Sequence, residues 1–202
     1  CGGLKPEKPG DEEPDGYRYD PLDPVPTVGG RTLMPTIATA GIEDQTAVAG
    51  RDDVLVYETP PLETAVETHG RARVELWASS SAIDTDFTAK LVDVDPDGFA
   101  ANLADGIVRA RYRESPRLRS EPLEPGAPTR FTIDLWDVAH TFLPGHRLRL
   151  EVSSSNAPRF DRNTNTGNEP GVDGSGDVVV AEQRIFHDAE RSSALVLPVA
   201  SA

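Results

Sequence analysis

The chain has 202 residues, and 34 acidic against 20 basic side chains give it a formal net charge of −14. This length fits one domain with an extension. The acidity argues against a nucleic-acid partner, because phosphate binding needs a basic surface. Apolar runs are only a few residues long, so the sequence predicts no membrane-spanning helix. The one cysteine is Cys1, so no internal disulfide can form.

Residues 1–53 are predicted as an extended lead-in, because they show no sustained periodicity. The segment contains seven prolines, which disfavour both helix and central strand. We expect it to lie across a surface, because it carries apolar anchors. These anchors are Tyr17, Tyr19, Leu22, Val25, Leu33, Met34 and Ile37. The chain opens on Cys1 without an initiator Met, so we expect a piece of a longer protein; a lipoprotein lipidated at Cys1 is the alternative.

From Val54 onward the dominant period is two, which is typical of strands with one buried and one solvated face. The pattern predicts strands over residues 54–57, 71–78, 87–94, 108–113, 130–135, 147–152, 178–186 and 194–199. Turn-forming residues separate them at 95–98, 105–106, 124–126 and 143–145. A single helical turn is allowed over residues 137–142. Residues 54–202 are therefore predicted to form an all-β domain, a two-sheet sandwich or jelly roll.

The alternation also predicts which side chains form the core. The expected core residues are Val74, Leu76, Phe87, Leu91, Phe131, Ile133, Leu148 and Leu150. The aromatic side chains of Trp77, Trp136 and Tyr112 are expected to pack there as well. Because sugar sites usually need exposed aromatic rings and only 6% of residues are aromatic, an independent carbohydrate-binding module is the alternative rather than the main hypothesis.

Known catalytic and metal-binding motifs are missing from the sequence. It contains neither the G-x-S-x-G elbow of serine hydrolases nor an H-E-x-x-H pair. Residues 161–167 place oxygen side chains like the start of a calcium loop, but the glycine falls one position late and Val172 stands where a bidentate glutamate is needed. A polar turn is the better interpretation. The sequence predicts no catalytic residue, metal or cofactor in this chain.

Several stretches, beginning with YRYDPLDPVPTVGG at 17–30, resemble the C-terminal part of the CocE/NonD hydrolases. The others are 44–62, 79–98, 105–114, 142–167 and 186–199. This family includes cocaine-esterase-like acyl esterases, α-amino-ester hydrolases and X-Pro dipeptidyl-peptidases. The resemblance implies a jelly roll of galactose-binding-like topology that follows an α/β-hydrolase domain with a Ser-His-Asp triad and a helical cap. This chain matches only the jelly roll and the lead-in, so it is expected to be non-catalytic.

The resemblance also implies two sets of functional residues. Leu33 and Met34, after the paired glycines, would rim the acyl pocket of the hydrolase domain; the alternative is that they are ordinary interface anchors. A second set would face the hydrolase domain, with an edge-loop salt bridge as the alternative. This set comprises Asn156, Arg159, Phe160 and Arg162. The expected partner is the hydrolase domain of the same parent chain, a homo-oligomer is left open, and neither nucleic acid nor membrane is expected. The parent would cleave an ester or an N-terminal dipeptide.

Overall fold

In the computed structural model, which describes residues 2–33, 36 and 38–200, the chain is a β-sandwich of two five-stranded sheets. The first sheet has the order β1 (Gly2–Gly3), β3 (Leu55–Glu58), β8 (Arg147–Ser153), β5 (Asp86–Val94) and β6 (Ala100–Arg109). In the second, β4 (Val66–Ser80) pairs with β7 (Thr129–Phe142) on one edge and with β9 (Ala181–Phe186) and β10 (Ala194–Val196) on the other, and β2 (Asp15–Tyr19) flanks β9.

Helical structure is limited to α1 (Thr46–Ala49) and a 3₁₀ turn (Ala110–Tyr112) in the described part of the chain. None of the described helices is long and apolar enough to cross a membrane. The two-sheet, all-β prediction is therefore confirmed. The galactose-binding-like topology stays a prediction.

The core lies between the two sheets, and all eight predicted core residues are buried there. Phe87 of β5 and Phe131 of β7 meet across the sandwich with ring centroids 4.9 Å apart. These two strands belong to different sheets, so this aromatic pair ties the layers together. The alternation of apolar residues along the strands is what brings both rings to the inner faces.

The turn predicted at residues 105–106 does not form. The strand predicted over residues 108–113 begins earlier than predicted and also ends earlier. Asp105 and Gly106 lie inside β6, which begins at Ala100 and ends at Arg109. A Cβ on Gly106 would lie 2.1 Å from the carbonyl oxygen of Asp134, so glycine here permits close contact between the sheets. Arg111, within the predicted strand, is buried, and its Nε donates to Asp84 Oδ2 at 2.8 Å, which offsets the loss of hydration.

The helical turn that the sequence allows over residues 137–142 does not form, because β7 continues to Phe142. The register with β4 shifts between Ala72 and Arg73, where Leu135 is the extra residue of a β-bulge. The bulge changes which face the side chains point to, and Trp136 has a φ of 68° and is 56% exposed. The prediction that Trp136 packs in the core is therefore wrong.

Part of the lead-in belongs to the sandwich. Its residues 15–19 form β2, an edge strand in which Tyr17 and Tyr19 alternate with exposed or half-buried residues and are themselves buried. The Tyr17 hydroxyl is 2.8 Å from the hydroxyl of Ser154, which directly follows β8 of the opposite sheet. Val25 is also buried, in a small cluster that includes Val48 and Val54. The boundary between residues 53 and 54 stays a prediction.

Candidate functional site: a loop fixed on the sandwich

The segment from Gly30 to Gly41, here called the rim loop, is closed at its base by two backbone hydrogen bonds. The N–H of Gly30 donates to the Gly41 carbonyl at 2.7 Å, and the N–H of Gly41 donates to the Gly30 carbonyl at 3.0 Å. Both glycines have positive φ, of 84° and 96°, which side chains rarely adopt. The sequence therefore closes a loop here through glycines at both ends.

Leu33 of the rim loop is 96% exposed, the highest value among the large apolar side chains in the described part of the chain. Its neighbour Thr32 is buried, as is Ala38 on the returning side of the loop. Thr32 and Ala38 are thus turned away from solvent, and Leu33 is turned towards it. Met34, the other predicted rim residue, lies outside the described residues.

A buried polar network holds the chain that follows the rim loop. Gln45 is fully buried, and its Nε2 donates to the carbonyls of Val28 at 3.0 Å and Glu43 at 3.1 Å. Its Oε1 accepts a hydrogen bond of 3.0 Å from Nζ of the buried Lys90. Burial lowers the pKa of Lys90, and burial raises the pKa of Glu151 on the neighbouring strand. This network attaches the segment to the outer face of the first sheet.

The predicted interface residues occupy different environments. Asn156 is buried, and its Nδ2 donates to Asp105 Oδ2 at 3.2 Å. Arg159 is half-buried, with its guanidinium carbon 5.0 Å from the centre of the half-buried Phe160 ring. Arg162 donates from Nη1 to the carbonyl of Pro21 at 2.8 Å. The Arg162 contact connects the segment after β8 to the lead-in, and the Asn156 contact connects it to β6. Whether the same residues also face a hydrolase domain stays a prediction.

An open groove of about 860 Å³ lies beside the rim loop. Its walls include Arg31, Trp136, Tyr112, Arg159 and Phe160. Two guanidinium groups lie over the Trp136 ring, with their carbons 5.6 Å (Arg31) and 6.0 Å (Arg71) from its centre. Such cation–π contacts suit a ring that is partly exposed. Sequence periodicity did not predict that Trp136 is exposed, because no turn-forming residue in the sequence marks the bulge that turns it outward.

Three of the four described histidines, His140, His146 and His187, are held by carboxylates. His140 Nε2 and His146 Nδ1 lie 2.8 and 2.9 Å from the two oxygens of Asp93, and His187 Nε2 lies 3.0 Å from Asp15 Oδ2. None of their hydrogen bonds in the described part of the chain goes to a serine hydroxyl. The described residues also contain no group of three or more His, Cys, Asp or Glu that could hold a metal ion.

The structure is thus an all-β sandwich domain that presents an exposed apolar side chain on a loop with a closed base. Residues 2–196 match the family model of the X-Pro dipeptidyl-peptidase C-terminal non-catalytic domain, and the chain belongs to this family. This family provides the non-catalytic C-terminal domain of CocE/NonD-type hydrolases, and the resemblance seen in the sequence is thereby confirmed.

Similar proteins include esterases and a peptidase. The chain is 46% identical over 198 residues to a cocaine esterase of Rhodococcus sp. (strain MB1 Bresler), with 98% of this chain and 34% of that protein covered. An α-amino acid ester hydrolase structure has a TM-score of 0.89 at 34% identity, over 98% of this chain and 35% of its own. An aminopeptidase from the marine sediment archaeon Thaumarchaeota archaeon has a TM-score of 0.88 at 34% identity, over 96% and 34%. The chain thus spans about a third of the length of these relatives.

Proposed function

We propose that this domain braces the α/β-hydrolase domain of its parent protein and contributes the rim loop to the wall of that domain's acyl pocket. The observation that carries the proposal is Leu33, a large apolar side chain that is 96% exposed on a loop with a closed base. Leaving such a side chain in water forgoes about 1.5–3 kcal/mol of burial free energy. A contact with the hydrolase domain or its substrate would recover it.

The parent is proposed to be a serine hydrolase that cleaves esters through an acyl-enzyme, with its triad on the hydrolase domain. Support for an ester comes from the 46% identity to a cocaine esterase, against 34% identity to an aminopeptidase. Cleavage of an X-Pro dipeptide is the competing activity. Parallel assays of the parent protein on p-nitrophenyl esters and on X-Pro-p-nitroanilides would decide between them, and faster turnover of the anilides would contradict the ester proposal.

The test of the rim loop uses Leu33→Ala in the full-length parent. We expect kcat/KM for a long or aromatic acyl ester to fall by about tenfold to a hundredfold, because a buried leucine contact is worth about 1.5–3 kcal/mol. The acetyl ester should be affected less. Leu22→Ala is the matched control, since Leu22 is 59% exposed in the same lead-in but lies outside the rim loop. Equal kinetics for both variants on both esters would contradict a pocket role for Leu33.

An independent carbohydrate-binding module is the second candidate function, because Trp136 is 56% exposed on the wall of a groove rather than packed in the core. Exposed aromatic rings provide the stacking surface that sugars use. Titration of the isolated domain with a panel of neutral oligosaccharides, followed by intrinsic tryptophan fluorescence, tests this function. Saturable quenching that disappears in Trp136→Ala would favour it over the accessory role.

A further inference from the structure

A buried carboxylate lies beneath the base of the rim loop. Asp105, in β6, is only 6% exposed, and its Oδ2 is 2.6 Å from Nε of Arg159. This ion pair lacks the alignment of a hydrogen bond, and the same carboxylate oxygen accepts one from Asn156 Nδ2 at 3.2 Å. A buried charge needs such partners to offset its loss of hydration. Arg159 is therefore fixed by Asp105.

Arg159 and Asp105 both act on the first residue after Gly30. Nη1 of Arg159 donates a hydrogen bond to the backbone carbonyl of Arg31. In return, Nη2 of Arg31 donates to the Asp105 carbonyl at 3.2 Å and to the Leu135 carbonyl at 3.1 Å. Arg31 is thus held through both its backbone and its side chain, two residues before Leu33.

We propose that Arg31, Asp105 and Arg159, here called the loop clamp, are positioning residues that set where Leu33 stands at the acyl pocket. This inference rests on the proposed function of the rim loop. An apolar wall discriminates between acyl groups only if it keeps its position when they bind. Preorganised polar contacts supply that rigidity. The clamp acts through the loop and does not itself touch the reacting atoms.

The clamp is separate from the hydrophobic core. A Cβ on Gly106 would point at the second sheet, so the side chain of the preceding Asp105 projects from the opposite, outer face of β6. The residues that join the sheets, such as Phe87 and Phe131, lie on the inner faces. Weakening the clamp should therefore loosen the rim loop while the sandwich stays folded.

The test compares Arg159→Ala with Arg71→Ala in the full-length parent. Arg71 is the matched control, because its guanidinium also flanks Trp136, at 6.0 Å, and pairs with Asp134 rather than with the rim loop. For Arg159→Ala we expect KM for the long acyl ester to rise about fivefold to tenfold with kcat nearly unchanged, and the preference for long over short acyl groups to flatten. Arg71→Ala should match the parent on every ester.

Two further variants and one physical measurement keep the test decisive. Arg159→Lys retains the charge beside Asp105 but not the guanidinium geometry, so its KM should fall between those of the parent and Arg159→Ala. Asp105→Asn, which is nearly isosteric, replaces Arg159→Ala if that variant does not fold. Hydrogen exchange should speed up at the amides of Gly30 and Gly41 in both Arg159→Ala and Asp105→Asn, and stay unchanged in Arg71→Ala.

Each outcome decides between the two proposals. If Leu33→Ala lowers kcat/KM for the long ester and the clamp variants leave KM and acyl preference unchanged, the clamp inference is overturned and the rim loop is retained. A parallel fall of kcat on all esters, together with a lower Tm, would make the clamp merely structural and also overturn the inference. If Leu33→Ala leaves kcat/KM unchanged on both esters, the proposed function of the rim loop fails, and the clamp inference, which rests on it, fails with it.

Discussion

Single side chains in this domain differ sharply in what they do for it. Phe131 is 1% exposed and packs 4.9 Å from Phe87 across the two sheets, so its ring contributes to the free energy of unfolding. Leu33 is 96% exposed and contributes almost nothing to the isolated fold. The residues that hold the sandwich together are therefore distinct from those proposed to serve the parent enzyme.

Replacing Phe131 by alanine should lower the free energy of unfolding by about 3–5 kcal/mol, because a large buried ring leaves a cavity. Urea melts of the isolated chain measure this change. Phe99→Ala is the control, since Phe99 is 44% exposed and should cost much less. A loss well under 1 kcal/mol for Phe131→Ala would show that the inner face of β7 is assigned incorrectly.

The sequence predicted the first half of strand β7 correctly and its second half incorrectly. Its first half alternates strictly, so Phe131 and Ile133 were correctly predicted as core from the sequence. After the bulge at Leu135 the buried residues are Val138 and Phe142, which follow Leu135 at intervals of three and seven. Those intervals also fit a helix. Only the register with β4 decides that the segment is a strand.

The same bulge creates a pH-dependent contact. Arg71 Nε donates to Asp134 Oδ1 at 3.1 Å, and the N–H of Trp136 donates to the same oxygen at 2.9 Å. The hydrogen bond from Arg71 is the main reason that the pKa of Asp134 lies below its usual value of 3.8. The stability that this carboxylate contributes is therefore fully present above about pH 3.8 and is lost as the pH falls through the lower, folded-state pKa.

Asp134→Asn should accordingly destabilise the isolated chain at pH 7 by about 0.2–1 kcal/mol, the range for exposed ion pairs. The difference from the unmodified chain should shrink as the pH falls through the folded-state pKa of Asp134, because the protonated carboxyl and the amide are both neutral. Urea melts at pH 7, 4 and 2 measure it. Asp97→Asn is the control, because exposed Asp97 forms no ion pair within the described residues. An equal difference at all three pH values would contradict this account.

For the whole molecule, the sequence predicted the sandwich better than the candidate site. Strands and core follow from alternation, which is a local property. The loop clamp joins residues 31, 105 and 159, and only the packing of the lead-in against β6 brings them together. Asp105-Gly106 even carries the local signal of a turn. Arg159 could be suspected of an interface role from its neighbours, but its partner Asp105 could not be identified without the fold.

The isolated chain should not be labelled by a fluorophosphonate probe. Such probes require an activated serine, whereas Ser153, Ser154 and Ser155 are buried, and their hydroxyls form hydrogen bonds with Thr88, Tyr17 and the N–H of Val25. The full-length parent is the positive control and should be labelled once per chain, on its hydrolase domain. Intact-mass spectrometry after saturating treatment measures both. Stoichiometric labelling of any serine among these 202 residues would place the nucleophile here and overturn the non-catalytic role.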